Sequence, residues 1–128
     1  MMKGSVITGA ILGALSVALG AFGAHALKGV LDAYGESIWD TAVQYQMFHS
    51  AGIVLAGILM HPKLLGDSAP LKWAFFAMAF GILFFSGSLY VLAVSGIRTL
   101  GAITPIGGVL FVVGWILLAI GAGKGKVY

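Results

Sequence analysis

The chain has 128 residues, of which 60% are hydrophobic and only 9% are charged, and its mean hydropathy is +1.06. A soluble domain carries about 25% charged residues, so this composition excludes an ordinary soluble domain, and the length fits one small domain. The net charge is +3, but the basic residues form no cluster of the kind that binds nucleic acid. The lack of cysteine excludes disulfides, thiolate nucleophiles and cysteine-ligated metals.

Every charged residue falls outside four long uncharged runs, which cover 4–27, 41–62, 73–97 and 99–123. A membrane core about 30 Å thick needs roughly 20 helical residues to cross it, so each run is long enough to span. The pattern therefore predicts an all-α integral membrane four-helix bundle with antiparallel neighbouring helices. We expect one domain over 1–128, with helices at about 4–27, 38–61, 73–96 and 105–123.

The first run predicts a retained transmembrane helix. Lys3 and the sequence Ala24-His25-Ala26 leave a cleaved signal peptide as the alternative, but the run is longer than an ordinary signal-peptide core. Small residues recur along it at spacings of four and three, which marks one face for close helix packing. These residues are Gly9, Gly13, Ser16, Gly20 and Gly23.

The second run is expected to extend a helix that starts near Ile38, with Ser37 as its N-cap. Trp39 and Tyr45 are aromatic residues of the kind that form a belt at the membrane surface. Further along, Gln46, His49 and Ser50 share one face of this helix by their spacing.

The third and fourth runs carry similar packing signals. Gly107, Gly114 and Gly121 lie a heptad apart in the fourth, and Ala74, Ala77 and Gly81 form a shorter series in the third. Thr104-Pro105 predicts an N-cap followed by proline in the first turn, preceded by an apolar loop. A proline-kinked helix that begins near Gly101 is the alternative.

Uncharged polar residues inside the spans are the main functional lead, because each is costly in lipid unless it is paired. The antiparallel arrangement places them in the outer half of the membrane, where they form a candidate polar cluster. Its members are His25, Gln46, His49, Ser86, Ser88, Tyr90 and Thr104. The cluster is either a structural network that joins the helices, a ligand site, or a set of unrelated interfacial residues.

Several chemistries fit this residue set poorly. The spans contain no Asp or Glu, so hydrolysis lacks an orienting acid and proton-coupled transport lacks a carboxylate. His25 and His49 on neighbouring helices leave haem or metal ligation open, but two histidines alone are a weak signal, and we predict no metal, no catalytic residue and no cofactor. We therefore expect a protein that is not an enzyme.

The basic residues predict the orientation. Alternating spans place Lys3, Lys63, Lys72, Lys124 and Lys126 on one side of the membrane, and Lys28 and Arg98 on the other. Because short loops rich in Lys and Arg stay in the cytoplasm, both termini are predicted to be cytoplasmic in a multi-pass plasma-membrane protein.

Four motifs resemble a family of small membrane proteins of unknown function, which includes the bacterial YgdD and YwdK proteins. They are Gly20-Ala-Phe-Gly-Ala-His25, Tyr45-Gln46-Met-Phe-His49, Phe85-Ser-Gly-Ser-Leu-Tyr90 and Gly101-Ala-Ile-Thr-Pro-Ile-Gly-Gly108. The resemblance covers almost the whole chain and implies four transmembrane helices, but it implies no substrate or cofactor. The four motifs contain every residue of the candidate polar cluster and also Pro105.

Together these features predict a non-enzymatic binding, scaffold or accessory protein of the membrane. A small-molecule or ion transporter is the first alternative, and a haem- or quinone-binding membrane component is the second. Membrane lipids are the expected partners, a homo-oligomer or a second membrane protein remains open, and no nucleic-acid partner is expected.

Overall fold

The structure is a computed structural model that describes residues 1–125, so Lys126, one of the basic residues used to predict orientation, lies outside the described residues. Four α-helices and one 3-10 helix follow one another along the chain. They are α1 (Met2–His25), α2 (Ala33–Leu59), α3 (Ala69–Ser95), the 3-10 helix (Arg98–Ala102) and α4 (Thr104–Lys124).

Helices α1, α2 and α3 and the combined stretch Arg98–Lys124 are each long and apolar enough to cross a membrane. The four-helix membrane bundle predicted from the charge-free runs is therefore confirmed. We call the end that carries loops 26–32 and 96–103 the first-loop end. The opposite end, with the N-terminus and loop 60–68, is the terminal end.

Helix α2 starts one and a half turns earlier than the sequence predicts. Its N-cap is Asp32, whose Oδ1 accepts the Gly35 N–H at 2.7 Å, and the Ser37 cap is wrong. Glu36 and Asp40 are exposed on these first turns, so the helix continues beyond its uncharged run. A carboxylate at the N-terminus also interacts favourably with the helix dipole.

Helix α3 also starts before its uncharged run. Ser68 is the N-cap, and Lys72 in the first turn is exposed. The helix ends at Gly96, whose φ of 72° is a left-handed conformation that an L-residue with a side chain adopts at a cost.

Helix α4 begins at Thr104, with Pro105 in its first turn, as expected. The predicted Thr104 cap is wrong, because the cap position is Ile103 and the Thr104 hydroxyl instead contacts α3. The alternative of a kinked helix from Gly101 is also wrong, since the chain forms a separate 3-10 helix over Arg98–Ala102.

Successive helices pack against one another, so α2 and α3 are central and α1 and α4 flank them. Only Ser5, Gly9 and Ser16 are buried in α1. Helix α1 packs along α2 and forms one flank of the bundle. The apolar core has three clusters. The largest consists of Ile53, Phe75, Met78, Ile82 and Phe111, and two smaller ones toward the first-loop end consist of Leu27, Trp39 and Val43 and of Ala42, Leu89 and Leu92.

The small-residue face of α1 packs on α2, as predicted. A Cβ atom on Gly9 would lie 2.8 Å from the Ser50 carbonyl oxygen and 2.9 Å from the Val54 nitrogen. A Cβ atom on Gly23 would overlap the indole ring of Trp39. This ring is buried, so the prediction that Trp39 belongs to an interfacial belt is wrong.

The glycine heptad of α4 faces α3 in the same way. A Cβ atom on any of the three glycines would collide with α3. Gly107 meets Phe85 and Gly81, Gly114 meets Met78, and Gly121 meets Leu71. Close backbone approach of this kind is how helices associate in lipid, where the hydrophobic drive between them is weak.

Candidate functional site

Gln46 joins three helices at the middle of the bundle. Its side chain is 3% exposed, and its Nε2 donates to the Leu12 carbonyl of α1 at 2.9 Å. Its Oε1 accepts the Tyr90 hydroxyl of α3 at 2.7 Å. Since both ends of the amide have partners, Gln46 links α1, α2 and α3 through hydrogen bonds.

His49 links α2 to α4. Its Nε2 accepts the indole N–H of Trp115 at 3.0 Å, and its Nδ1 lies 2.8 Å from the Tyr45 carbonyl oxygen. An indole nitrogen only donates, and a carbonyl oxygen only accepts, so the proton must be on Nδ1. The imidazole is therefore the neutral Nδ1–H tautomer, and both of its nitrogens are occupied.

The His49 ring is also held by packing. It stacks on Phe111 with ring centroids 3.5 Å apart and an interplanar angle of 12°. To ligate a metal or haem, Nε2 would first have to lose its bond to Trp115. The geometry is that of a histidine that fixes two helices, not of one that presents a free lone pair.

The hydroxyl members of the predicted cluster bond to nearby helices. Ser86 donates to the Ala42 carbonyl at 2.7 Å. Ser88 donates its only proton to the Phe85 carbonyl at 2.9 Å, so the 2.7 Å bond between Ser88 and Thr104 takes its proton from Thr104. These bonds connect α3 to α2 and to the start of α4.

His25 does not belong with the other members. It is exposed at the end of α1, near the level at which Gly23 packs on Trp39. His49 follows Trp39 by ten residues on α2, which is about 15 Å along a helix axis. The two histidines therefore lie too far apart along the helices to share a metal or haem, which argues against the ligation that their neighbouring helices had left open.

One buried hydroxyl group lies outside the predicted cluster. Ser5, near the terminal end of α1, donates to the Ile53 carbonyl at 2.7 Å. Throughout residues 1–125, each buried side-chain nitrogen or oxygen has a hydrogen-bond partner.

Two tryptophans are functional partners that the sequence interpretation missed. Trp115 bonds His49, and Trp39 donates to the Leu19 carbonyl at 3.0 Å. One signal could have identified them: an indole N–H inside a span must find an acceptor, because lipid offers none.

The structure adds an aromatic groove between α2 and α4 that faces the lipid side of the bundle. It has a volume of about 600 Å³. This is within the size range of small-molecule sites. Its lining is mainly aromatic and consists of Gln44, Tyr45, Phe48, His49, Phe85, Gly108, Phe111, Val112 and Trp115.

Two polar groups of this groove have no protein partner. The Gln44 side chain and the Tyr45 hydroxyl form no hydrogen bond with any of the residues 1–125, and both residues are exposed. A polar group that faces hydrocarbon without a partner is costly. The aromatic groove therefore has two polar side chains without protein partners beside a mainly aromatic wall.

Comparisons with known proteins agree with the fold. A family described as "Protein of unknown function (DUF423)" matches residues 19–108, a range that contains all four sequence motifs. The chain is 48% identical to UPF0382 membrane protein SSP2132 of Staphylococcus saprophyticus, over 96% of this chain and 99% of that protein. It is 46% identical to UPF0382 membrane protein YwdK of Bacillus subtilis, over 96% of this chain and 98% of that protein.

No solved structure matches this chain significantly. The four apolar helices and the relatives named as membrane proteins identify a multi-pass membrane protein. The resemblance noted in the sequence is confirmed: the chain belongs to the DUF423 (UPF0382) family of membrane proteins of unknown function.

Proposed function

We propose that this protein is a non-enzymatic membrane protein that binds a lipophilic molecule in the aromatic groove between α2 and α4. One observation carries the proposal: a groove of about 600 Å³ opens to lipid and combines an aromatic wall with two unpartnered polar side chains. A pocket with mostly apolar walls and a few convergent polar groups is the usual form of a small-molecule site.

The groove favours a planar ring that carries carbonyl groups. The exposed Phe48 and the half-buried Trp115 offer ring faces and edges on which another ring can stack. The Gln44 amide and the Tyr45 hydroxyl can both donate hydrogen bonds, which suits carbonyl acceptors. A quinone with an apolar tail has this chemistry and can enter the groove sideways from the bilayer.

The surrounding polar groups support a role in ligand binding and not in catalysis. Both nitrogens of His49 and both ends of the Gln46 amide are already bonded within the protein. The four acids, Asp32, Glu36, Asp40 and Asp67, lie in loops or in the first turns of α2. This arrangement supports neither a hydrolytic base with its orienting acid nor a carboxylate relay for protons.

Quinone binding can be tested with decylubiquinone and purified protein in detergent micelles. We expect saturable quenching of tryptophan fluorescence and a rise in melting temperature. Val112→Phe, which fills the groove, should weaken binding at least about tenfold. Gln44→Leu should weaken binding by about the same factor, the effect of losing one well-made hydrogen bond.

Val109→Phe is the matched control, because Val109 is 63% exposed on the same helix but does not line the groove, whereas Val112 is 58% exposed and does. Its affinity should equal that of the unmodified protein. Quenching that does not saturate, or equal affinities for the two phenylalanine variants, would contradict the proposal.

We also propose that the protein lies in the plasma membrane with both termini in the cytoplasm. Lys3, Lys63, Lys72 and Lys124 are at the terminal end of the bundle, whereas Lys28 and Arg98 are at the first-loop end. The positive-inside rule favours this orientation. Green fluorescent protein fused at residue 128 should be fluorescent, and alkaline phosphatase fused there should be inactive. An active phosphatase at this position would show that the C-terminus lies outside the cytoplasm.

A further inference from the structure

A second pocket lies at the first-loop end, away from the aromatic groove. It has a volume of about 470 Å³ and is formed by loop 26–32, the start of α2, the end of α3 and the 3-10 helix. Its polar lining includes Asp32, Tyr34, Ser95 and Arg98. Because this pocket is at the ends of helices that are long and apolar enough to span a membrane, we expect it near the level of the phospholipid headgroups.

Arg98 supplies the positive charge of this pocket. Its guanidinium carbon is 4.5 Å from the centroid of the Tyr34 ring, so the ring holds the cation by a cation–π contact. In the described part of the chain no carboxylate pairs with it within 4.0 Å. A guanidinium that is held in place but unpaired suits a phosphate, which it can bind through two parallel hydrogen bonds.

Asp32 supplies the negative charge. Its Oδ1 accepts the Gly35 N–H, and its second oxygen makes no hydrogen bond with residues 1–125. Asp32 and Arg98 therefore line one pocket with opposite charges that form no ion pair within 4.0 Å. A ligand that complements both must carry an anionic and a cationic group.

We propose that this pocket binds the headgroup of phosphatidylethanolamine, with the phosphate on Arg98 and the primary ammonium on Asp32. Charge complementarity selects this lipid. An anionic lipid without an ammonium group would bring its negative charge toward Asp32. Phosphatidylcholine has the same charges, but its trimethylated nitrogen has no N–H to donate to a carboxylate.

The proposal predicts a preference among lipids with the same acyl chains. Purified protein in detergent should bind dioleoylphosphatidylethanolamine about tenfold more tightly than dioleoylphosphatidylcholine or dioleoylphosphatidylglycerol, measured by native mass spectrometry. Tenfold is the effect of one charge-assisted hydrogen bond. Equal binding of the three lipids would overturn the proposal, and a preference for phosphatidylglycerol would assign the site to anionic lipids instead.

Two variants assign the roles of the charges. Asp32→Asn should remove the preference for phosphatidylethanolamine over phosphatidylcholine without unfolding α2, because asparagine is also a good N-cap. Arg98→Gln should weaken binding of both lipids. If Asp32→Asn kept the full preference, or Arg98→Gln bound as tightly as the unmodified protein, the proposed contacts would be wrong.

Matched controls separate this pocket from nonspecific surface charge and from the aromatic groove. Lys28→Gln and Glu36→Gln change exposed charges at the same end that do not line the pocket. Val112→Phe fills the aromatic groove only. All three should keep the phosphatidylethanolamine preference, and its loss in any of them would contradict a site built on Asp32 and Arg98.

Discussion

At the scale of single residues, the polar side chains inside the spans act as links between particular helices. Gln46 contacts α1 and α3, His49 contacts α4, and Ser86 on α3 contacts α2. Hydrogen bonds across membrane helices are worth about 0.6 to 2 kcal/mol each. Each link should therefore be measurable as a loss of stability when one partner is removed.

Trp115→Phe removes the donor to His49 Nε2 while keeping an aromatic ring. We expect the free energy of unfolding to fall by about 0.6–2 kcal/mol, since the acceptor is left without a partner in the membrane. Unfolding by sodium dodecyl sulfate in mixed micelles measures this change. Trp73→Phe is the control, because Trp73 is 57% exposed, and an equal loss in both variants would show that the bond contributes nothing specific.

Gln46 and Tyr90 should be energetically coupled. Gln46→Leu and Tyr90→Phe each break the 2.7 Å bond between them, so the double variant should be more stable than the sum of the single losses implies. We expect a coupling energy of about 1 kcal/mol in the same unfolding assay. Strict additivity would mean that this bond does not stabilise the bundle.

At the scale of helices, small residues decide which helices pack together. The glycines of α4 that face α3 leave no room for a side chain, whereas other glycines of α4 do. Because lipid is as apolar as the helix surfaces, this close fit replaces the hydrophobic drive that joins helices in water. Neighbouring glycines should then differ in their tolerance of alanine.

Gly107→Ala and Gly108→Ala test this difference. A Cβ atom on Gly107 would lie 2.7 Å from Phe85 Cβ and 2.8 Å from the Gly81 carbonyl oxygen, whereas one on Gly108 would lie 3.9 Å from the nearest atom of Phe85. We expect Gly107→Ala to cost about 1–3 kcal/mol in unfolding free energy and Gly108→Ala to be neutral or slightly stabilising. Equal effects would contradict the packing of α4 on α3.

At the scale of the whole molecule, the bundle exposes its flanking helices to lipid. Val17 on α1 is 66% exposed and Val109 on α4 is 63% exposed, although both lie within apolar spans. An exposed apolar surface of this extent is stable only in a bilayer. Because α1 and α4 each pack on the bundle through one narrow face, the rest of each helix surface is left exposed.

Spin labels can verify this arrangement in a chain without native cysteine. Nitroxides at Val17→Cys and Val109→Cys should be highly accessible to oxygen and poorly accessible to a water-soluble nickel complex. Lys63→Cys, in the exposed loop at the terminal end, should show the opposite ratio. Nickel accessibility at Val17 equal to that at Lys63 would place α1 outside the membrane.

The sequence by itself determined the number of spans, their approximate positions and the packing faces. Charge cannot enter the membrane core without a large cost, so its absence from four runs marks four helices. Spacings of three and four place Gly9 and Gly107 on particular helix faces without knowledge of their neighbours. The motifs around His25, His49, Tyr90 and Thr104 were enough to indicate the family.

Only the tertiary structure decided which polar groups meet. Helical periodicity gives the face of a residue within its own helix, but the rotation and vertical register between helices depend on the sum of many packing contacts. That register separated His25 from His49, paired His49 with Trp115, and opened the groove beside Tyr45. It also placed Asp32 and Arg98, which are far apart along the chain, in one pocket.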